Sequence, residues 1–192
     1  MGARGRVGVA SSLALLVCLS LGLTSAAAAN PRPFQWLVPS APPAGWKHAK
    51  LPSGAAVLSF PSSLTLIKSD SPSVSAAERD KSGRILVYLN ATTQQGAENL
   101  GNFPQFRLAH NRIVSTGVRR DAAAVGLGFY GAVGSCVIDH YVTRTHDNHY
   151  REIACFVQGP TSATVIVAAA LESEWKRALP TLERAVSAYR AN

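Results

Sequence analysis

The chain lacks most of the signatures on which catalysis is usually recognised. It holds three cysteines in 192 residues and no C-x-x-C spacing, which argues against thiol redox cycling. No G-x-S-x-G occurs, and Gly134-Ser135-Cys136 has no partner glycine to make a sharp nucleophile turn, so serine-hydrolase chemistry has no signature here. Gly126, Gly128, Gly131 and Gly134 lead into another strand pattern and not into a helix, so they form no phosphate cradle. Beyond the first 23 residues no apolar run approaches the roughly 20 residues that a spanning helix needs. Acidic residues are also scarce, 11 against 19 Lys and Arg, yet the basic ones stand singly except at Arg119-Arg120 and Lys176-Arg177. A nucleic-acid groove would cluster them with interleaved aromatics, so no nucleic-acid partner is expected, and the charge serves solubility and weak attraction to anionic polymers.

What is present begins with an export signal. Arg4 and Arg6 precede an apolar segment over residues 7–23, followed by Ala27, Ala28 and Ala29, an arrangement that predicts a signal peptide over 1–29 with cleavage near Ala29. The formal charge of +8 then falls to +6 with the loss of Arg4 and Arg6. The mature chain is expected outside the cytoplasm, secreted or on the envelope exterior, with no transmembrane segment. Cys18 leaves with the signal, and Cys136 and Cys155 remain as an even pair where disulfides persist. A proline-rich arm is expected over 30–52, pinned to the surface by Trp36 and Trp46, and a single domain over 53–192.

Short apolar runs at 55–60 and 64–68, separated by Pro61-Ser62-Ser63, read as a hairpin or as a strand with a sharp corner. Strands at 74–78 and 84–90 flank the turn Asp80-Lys81-Ser82-Gly83, where Gly83 suits a positive φ. Residues 97–116 predict a helix with Leu100, Phe103, Phe106, Ala109 and Ile113 on its apolar face and His110 at the edge of that stripe. Its start is either an Asn102 cap paired with Gln105, with Pro104 in the first turn, or a kinked turn at Pro104. A strand follows at 118–129. Residues 164–170 have no polar alternation, as a strand covered on both sides requires. A second amphipathic helix is expected over 172–190, carrying Trp175, Ala178, Leu179, Leu182, Val186 and Tyr189, kinked or split at Pro180.

The stretch 135–158 organises the whole. Two alternating arms around a polar turn place Cys136 opposite Cys155, and that register sets Ile138 against Ile153, His140 against Arg151, Val142 against His149, and Asp139 against Glu152. The last pair repels. A slip of two residues would relieve it, but would leave the cysteines about 7–8 Å apart at Cα, beyond disulfide reach, so the direct register is expected. Both faces of the hairpin carry apolar residues, which calls for helices on both faces of an antiparallel sheet. The polar cluster Asp139, His140, His149, Arg151 and Glu152 is the candidate site. Facing carboxylates can act as acid and base, but a neighbouring cation would neutralise them. Arg151 opposite His140 opposes a metal ion. Neither a metal nor a cofactor is expected.

The order of these elements resembles the α/β/α sandwich of the photosystem II extrinsic PsbP group, and Ser59-Phe60-Pro61-Ser62-Ser63-Leu64 resembles its strand, aromatic, proline opening, with Leu64 where many members carry an aromatic residue. LPSGA from Leu51, YLNAT from Tyr88, FRLAHNR from Phe106, GSCVIDHY from Gly134 and YREIACFV from Tyr150 are similar to uncharacterised secreted actinobacterial proteins. The resemblance implies an α/β (α+β) sandwich with a binding or accessory role, and transfers no site residue. The resulting expectation is an exported non-enzymatic domain that recognises an envelope component, a small molecule or a protein partner. Its rivals are a secreted hydrolase using Asp139, His140 and Glu152, and an envelope protein held on anionic wall polymer.

Overall fold

The computed structural model describes residue 2 and residues 31–192; the expected signal segment and Cys18 lie outside the described residues. In chain order come β1 (Lys47–Lys50), β2 (Ala56–Phe60), β3 (Thr65–Ile67), β4 (Ser73–Arg79) and β5 (Ile85–Thr93). Helix α1 (Phe103–Val114) leads directly into β6 (Ser115–Phe129), β7 (Ala132–Thr143), β8 (His149–Gln158) and β9 (Ala163–Leu171). Helix α2 (Trp175–Ser187) and the two-residue β10 (Arg190–Ala191) close the chain.

Seven strands form one antiparallel sheet in the order β3-β4-β5-β9-β8-β7-β6. Strand β9 lies at its centre because both of its sides are apolar. Ile166, Ala168 and Ala170 enter one core with Trp175, Ala178, Leu182 and Val186 of α2. Val165, Val167 and Ala169 enter a second core with Phe103 and Leu108 of α1. This period-two division places a helix on each face of the sheet. The α2-side core also takes Phe34 and Leu37 from the proline-rich stretch, with Trp36 and Trp46 packed against its edge.

Of the two readings for residues 55–68, the corner is the one adopted. Strand β2 joins β1 and β10 in a separate three-stranded sheet, whereas β3 begins the large one. Gly83 has φ +85° in the turn after β4, a left-handed conformation that glycine adopts without steric cost.

Both helices differ from their sequence patterns. Helix α1 starts at Phe103, because the preceding residues form turns held by side chains: Asn102 Nδ2 donates to the Ala97 carbonyl at 2.9 Å and Asn102 Oδ1 accepts from the Asn99 amide at 2.7 Å. Asn102 therefore makes no side-chain cap. The buried face of α1 carries Phe103, Pro104, Leu108 and Asn111, while Phe106 and Ile113 of the expected stripe are 36% and 75% exposed and His110 is exposed. The helix is rotated so that Arg107 and Asn111 meet carboxylates beneath it. Helix α2 runs unbroken through Pro180, which sits on its exposed side.

Candidate functional site

The β7–β8 hairpin adopts the direct register, with Cys136 paired to Cys155, Ile138 to Ile153, Asp139 to Glu152, His140 to Arg151 and Val142 to His149. Cys136 and Cys155 form a disulfide and both are fully buried. Because successive residues of a strand point to opposite faces, the five polar candidates do not form one cluster. Asp139 and Glu152 lie under α1. His140 and Arg151 lie on the α2 side, and His149 is exposed near the hairpin end.

On the α1 side two carboxylates are completely removed from solvent. Arg107 Nε and Nη2 donate to Glu152 Oε1 and Oε2 at 2.6 and 2.9 Å, a bidentate pair. Asn111, one turn further along α1, donates from Nδ2 to Glu152 Oε1 at 3.1 Å and to Asp139 Oδ2 at 3.2 Å. Burial, followed by the negative charge of Glu152, pushes the Asp139 carboxyl up to about 8, against the opposing pull of Arg107 and Asn111. The protonated form of Asp139 is therefore favoured over the range in which a free carboxyl is ionised. Burial opposes charge on Arg107, but its pairing with Glu152 wins and holds the guanidinium above its ordinary value. Tyr141, beside the pair, is raised well above the phenol range by burial and then by Glu152. The cation anticipated from the sequence is supplied by α1, and it binds the carboxylates into a fixed structural network.

Across the sheet, His140 Nε2 accepts from Arg119 Nε and lies 3.7 Å from Asp121 Oδ1. Arg151 pairs with Asp121 at 2.6 Å and lies over the Trp175 ring, 5.1 Å from its centroid. His140 therefore cannot exchange a proton with Asp139 or Glu152, and the hydrolase constellation is not assembled. Among the described residues no group of three or more His, Cys, Asp or Glu side chains converges as a metal centre would. No helix of the described residues is long and apolar enough to cross a membrane. Asn90, the acceptor of a glycosylation-like triplet, is in β5 with its amide bonded to Ser75 Oγ at 3.0 Å.

A concave site lies beside the buried network. Helix α1 packs over β6, β7 and β8 and its Phe103 and Leu108 reach the buried Val165 and Val167 of β9, but no helix among the described residues covers the β4–β5 side of the same face. The step between helix and sheet forms a cleft of about 460 Å³. Tyr88, Asn90, Val165 and Val167 line its sheet side, and Phe103, Phe106, Arg107 and His110 its helix side; Glu98 and Gly96 come from the loop between β5 and α1. Burial and then the charge of Arg107 lower the His110 pKa, which favours the neutral imidazole. A second hollow, of about 520 Å³, lies between the β4–β5 turn and the hairpin tip. Its arginines are tied locally, Arg84 to Asp80 at 3.1 Å and Arg79 to the Gly83 carbonyl at 2.6 Å, so the cleft beside α1 is the better-built site. Sequence reasoning passed over it because its walls come from separate strands and its one buried acid sits in a polar loop.

The architecture defines an α+β sandwich of PsbP-like type: a seven-stranded antiparallel sheet between two helical layers. The solution structure of cyanobacterial PsbP (CyanoP) from Synechocystis sp. PCC 6803 matches over 78% of this chain and 94% of that one, with TM-score 0.54 and 9% identity. LpqN of Mycobacterium tuberculosis, described as involved in cell envelope biogenesis, matches over 75% of this chain and 88% of that one, with TM-score 0.46 and 13% identity. A Bacteroides thetaiotaomicron VPI-5482 protein matches over 77% of this chain with TM-score 0.48 and 9% identity, and the match spans 49% of that longer chain. At such identities the likeness is one of fold. No family model matches the sequence, and no curated protein matches it.

Proposed function

We propose that the protein is an exported, non-enzymatic binding domain, and that its ligand site is the cleft between α1 and the β4–β5 side of the sheet. The observation that carries this reading is the division of one sheet face: half is sealed by a helix fixed through a buried ion pair, and half forms a concave surface with aromatic, aliphatic and polar walls. Small-molecule sites are commonly of this size and mixed lining. Catalysis has less support, because Asp139 and Glu152 are sealed and hydrogen-bonded to α1. Export is supported by the signal-like start and by the buried disulfide.

The test is a fragment titration followed by amide NMR, using a set of aromatic amines, acids and alcohols. Binding in the cleft predicts shifts of the Asn90, Gly96 and His110 amides in the wild type. In Val167→Trp, whose larger ring would occupy the cleft, those shifts should disappear. Shifts elsewhere that survive Val167→Trp would reject the assignment.

A further inference from the structure

Glu98 is the one group of the cleft whose chemistry is incomplete. It is 3% exposed, Oε1 accepts from the Gln95 amide at 2.7 Å, and Oε2 is buried with no hydrogen-bond partner among the described residues. A Cβ placed on Gly96 would come within 3.0 Å of that oxygen and 3.3 Å of Phe106 Cζ. Glu98 Oε2 and the Phe106 edge both border the position that a side chain at Gly96 would fill, and Glu98, Gly96 and Phe106 all line the cleft.

The charges around it leave this carboxylate unmatched. Arg107, the one arginine of the cleft wall, directs Nε and Nη2 to Glu152. His110 is held toward its neutral form. Asp70, at the rim, adds a second carboxylate and makes no ion pair among the described residues. In a chain of net charge +8, the cleft is locally acidic. Leaving a buried acceptor without a donor is costly, and a charge-assisted hydrogen bond removes that cost.

Building on the reading of the cleft as a ligand site, we infer that its ligand is a protonated primary or secondary amine. Its N–H donates to Glu98 Oε2, and its apolar body lies against Phe103, Phe106, Val165 and Val167. A quaternary ammonium, which has no N–H, leaves the oxygen unsatisfied. Asp70 at the rim attracts the cation as it approaches.

Three probes with one apolar body separate the possibilities: 2-phenylethylamine, 2-phenylethanol and phenylacetate, titrated into wild type and Glu98→Gln by the amide shifts of Gly96 and His110. The amine should bind at least about tenfold tighter than the alcohol, with phenylacetate weakest. Glu98→Gln keeps an acceptor for the Gln95 amide and removes the charge, so it should abolish the amine preference. The order of affinities in the wild type tests the sign of the site without any substitution. Phenylacetate binding as tightly as the amine, or a preference that survives in Glu98→Gln, would overturn the amine inference and leave the cleft as a binding site. If no probe of any charge moves these resonances, the cleft reading falls and the inference with it.

Discussion

Asp139→Asn is the substitution whose effect the structure determines most closely. In the folded state Asp139 titrates at about 8 in place of 3.8, because it is buried beside Glu152. Between those two values the folded chain holds a proton that the unfolded chain has released. Stability from this group is therefore fully present below about pH 4 and is lost as pH rises through about 8. At about 1.36 kcal/mol per pH unit, the displacement from 3.8 to about 8 caps the loss at about 6 kcal/mol. The value of about 8 already includes the opposing pull of Arg107 and Asn111, and about three pH units of the window lie between pH 5 and that value, so a loss of about 4 kcal/mol between pH 5 and pH 9 is expected. Asn at this position keeps an acceptor for Asn111 and cannot ionise. Urea unfolding with the disulfide intact, run from pH 5 to pH 9 on both proteins, should give a wild-type curve that falls away from a flatter Asp139→Asn curve as the solution becomes alkaline. Groups remote from the pair titrate alike in the two proteins, so the difference reports the Asp139–Glu152 pair. Curves that stay parallel across the range would show that Asp139 is ionised throughout, and would refute the account of the network.

Arg107→Met leaves the Glu152 carboxylate buried with Asn111 as its remaining side-chain donor. It should cost about 3–5 kcal/mol in equilibrium unfolding, and Glu152→Gln in the same chain should restore most of it; an additive double mutant would contradict the pairing. The Cys136–Cys155 bridge spans a sequence separation of 19, so the double alanine variant should lose about 3 kcal/mol in denaturant titration. Both cysteines are fully buried, and a mild reductant in native buffer should leave the bond intact until denaturant is added, as followed by thiol titration.

The hairpin was legible because the reach of a disulfide rules out the two-residue slip that would relieve the Asp139–Glu152 repulsion, leaving the direct register. The uninterrupted apolar run of β9 was legible for a similar reason: only a strand covered on both sides tolerates Ile166 and Val167 side by side. The phase of α1 was hidden because its buried face contains Arg107 and Asn111, which count as polar in any hydrophobic pattern, while Phe106 and Ile113 face outward. The signal was nevertheless divided between two places. Asp139 and Glu152 interrupt an otherwise apolar face that includes Val137 and Ala154, and two acids there require a cation from the covering layer. Arg107 and Asn111, four residues apart, are neighbours on one helix face. Strand β10 has two residues and pairs with β2, too short to leave a periodic trace. Glu98 sits among polar loop residues, where composition suggests a solvated side chain and only the fold reveals burial.

The network under α1 and the cleft beside it are mechanically one arrangement. With Asp139 protonated, one positive charge on Arg107 faces one negative charge on Glu152, and Asn111 bridges the neutral acid to the charged one. A purely apolar contact would let the helix slide along the sheet at little cost, whereas a bidentate pair in a dry site fixes its position. That position decides where Phe103, Phe106 and His110 stand, and hence the width of the cleft beside β5 and β9. Arg107 belongs to both parts, since it lines the cleft while two of its nitrogens bind Glu152. On the proposed reading of the cleft, the buried carboxylates contribute to recognition without touching a ligand: they hold one wall of the cleft at a fixed distance from the other, and a fixed separation is what discrimination by shape requires.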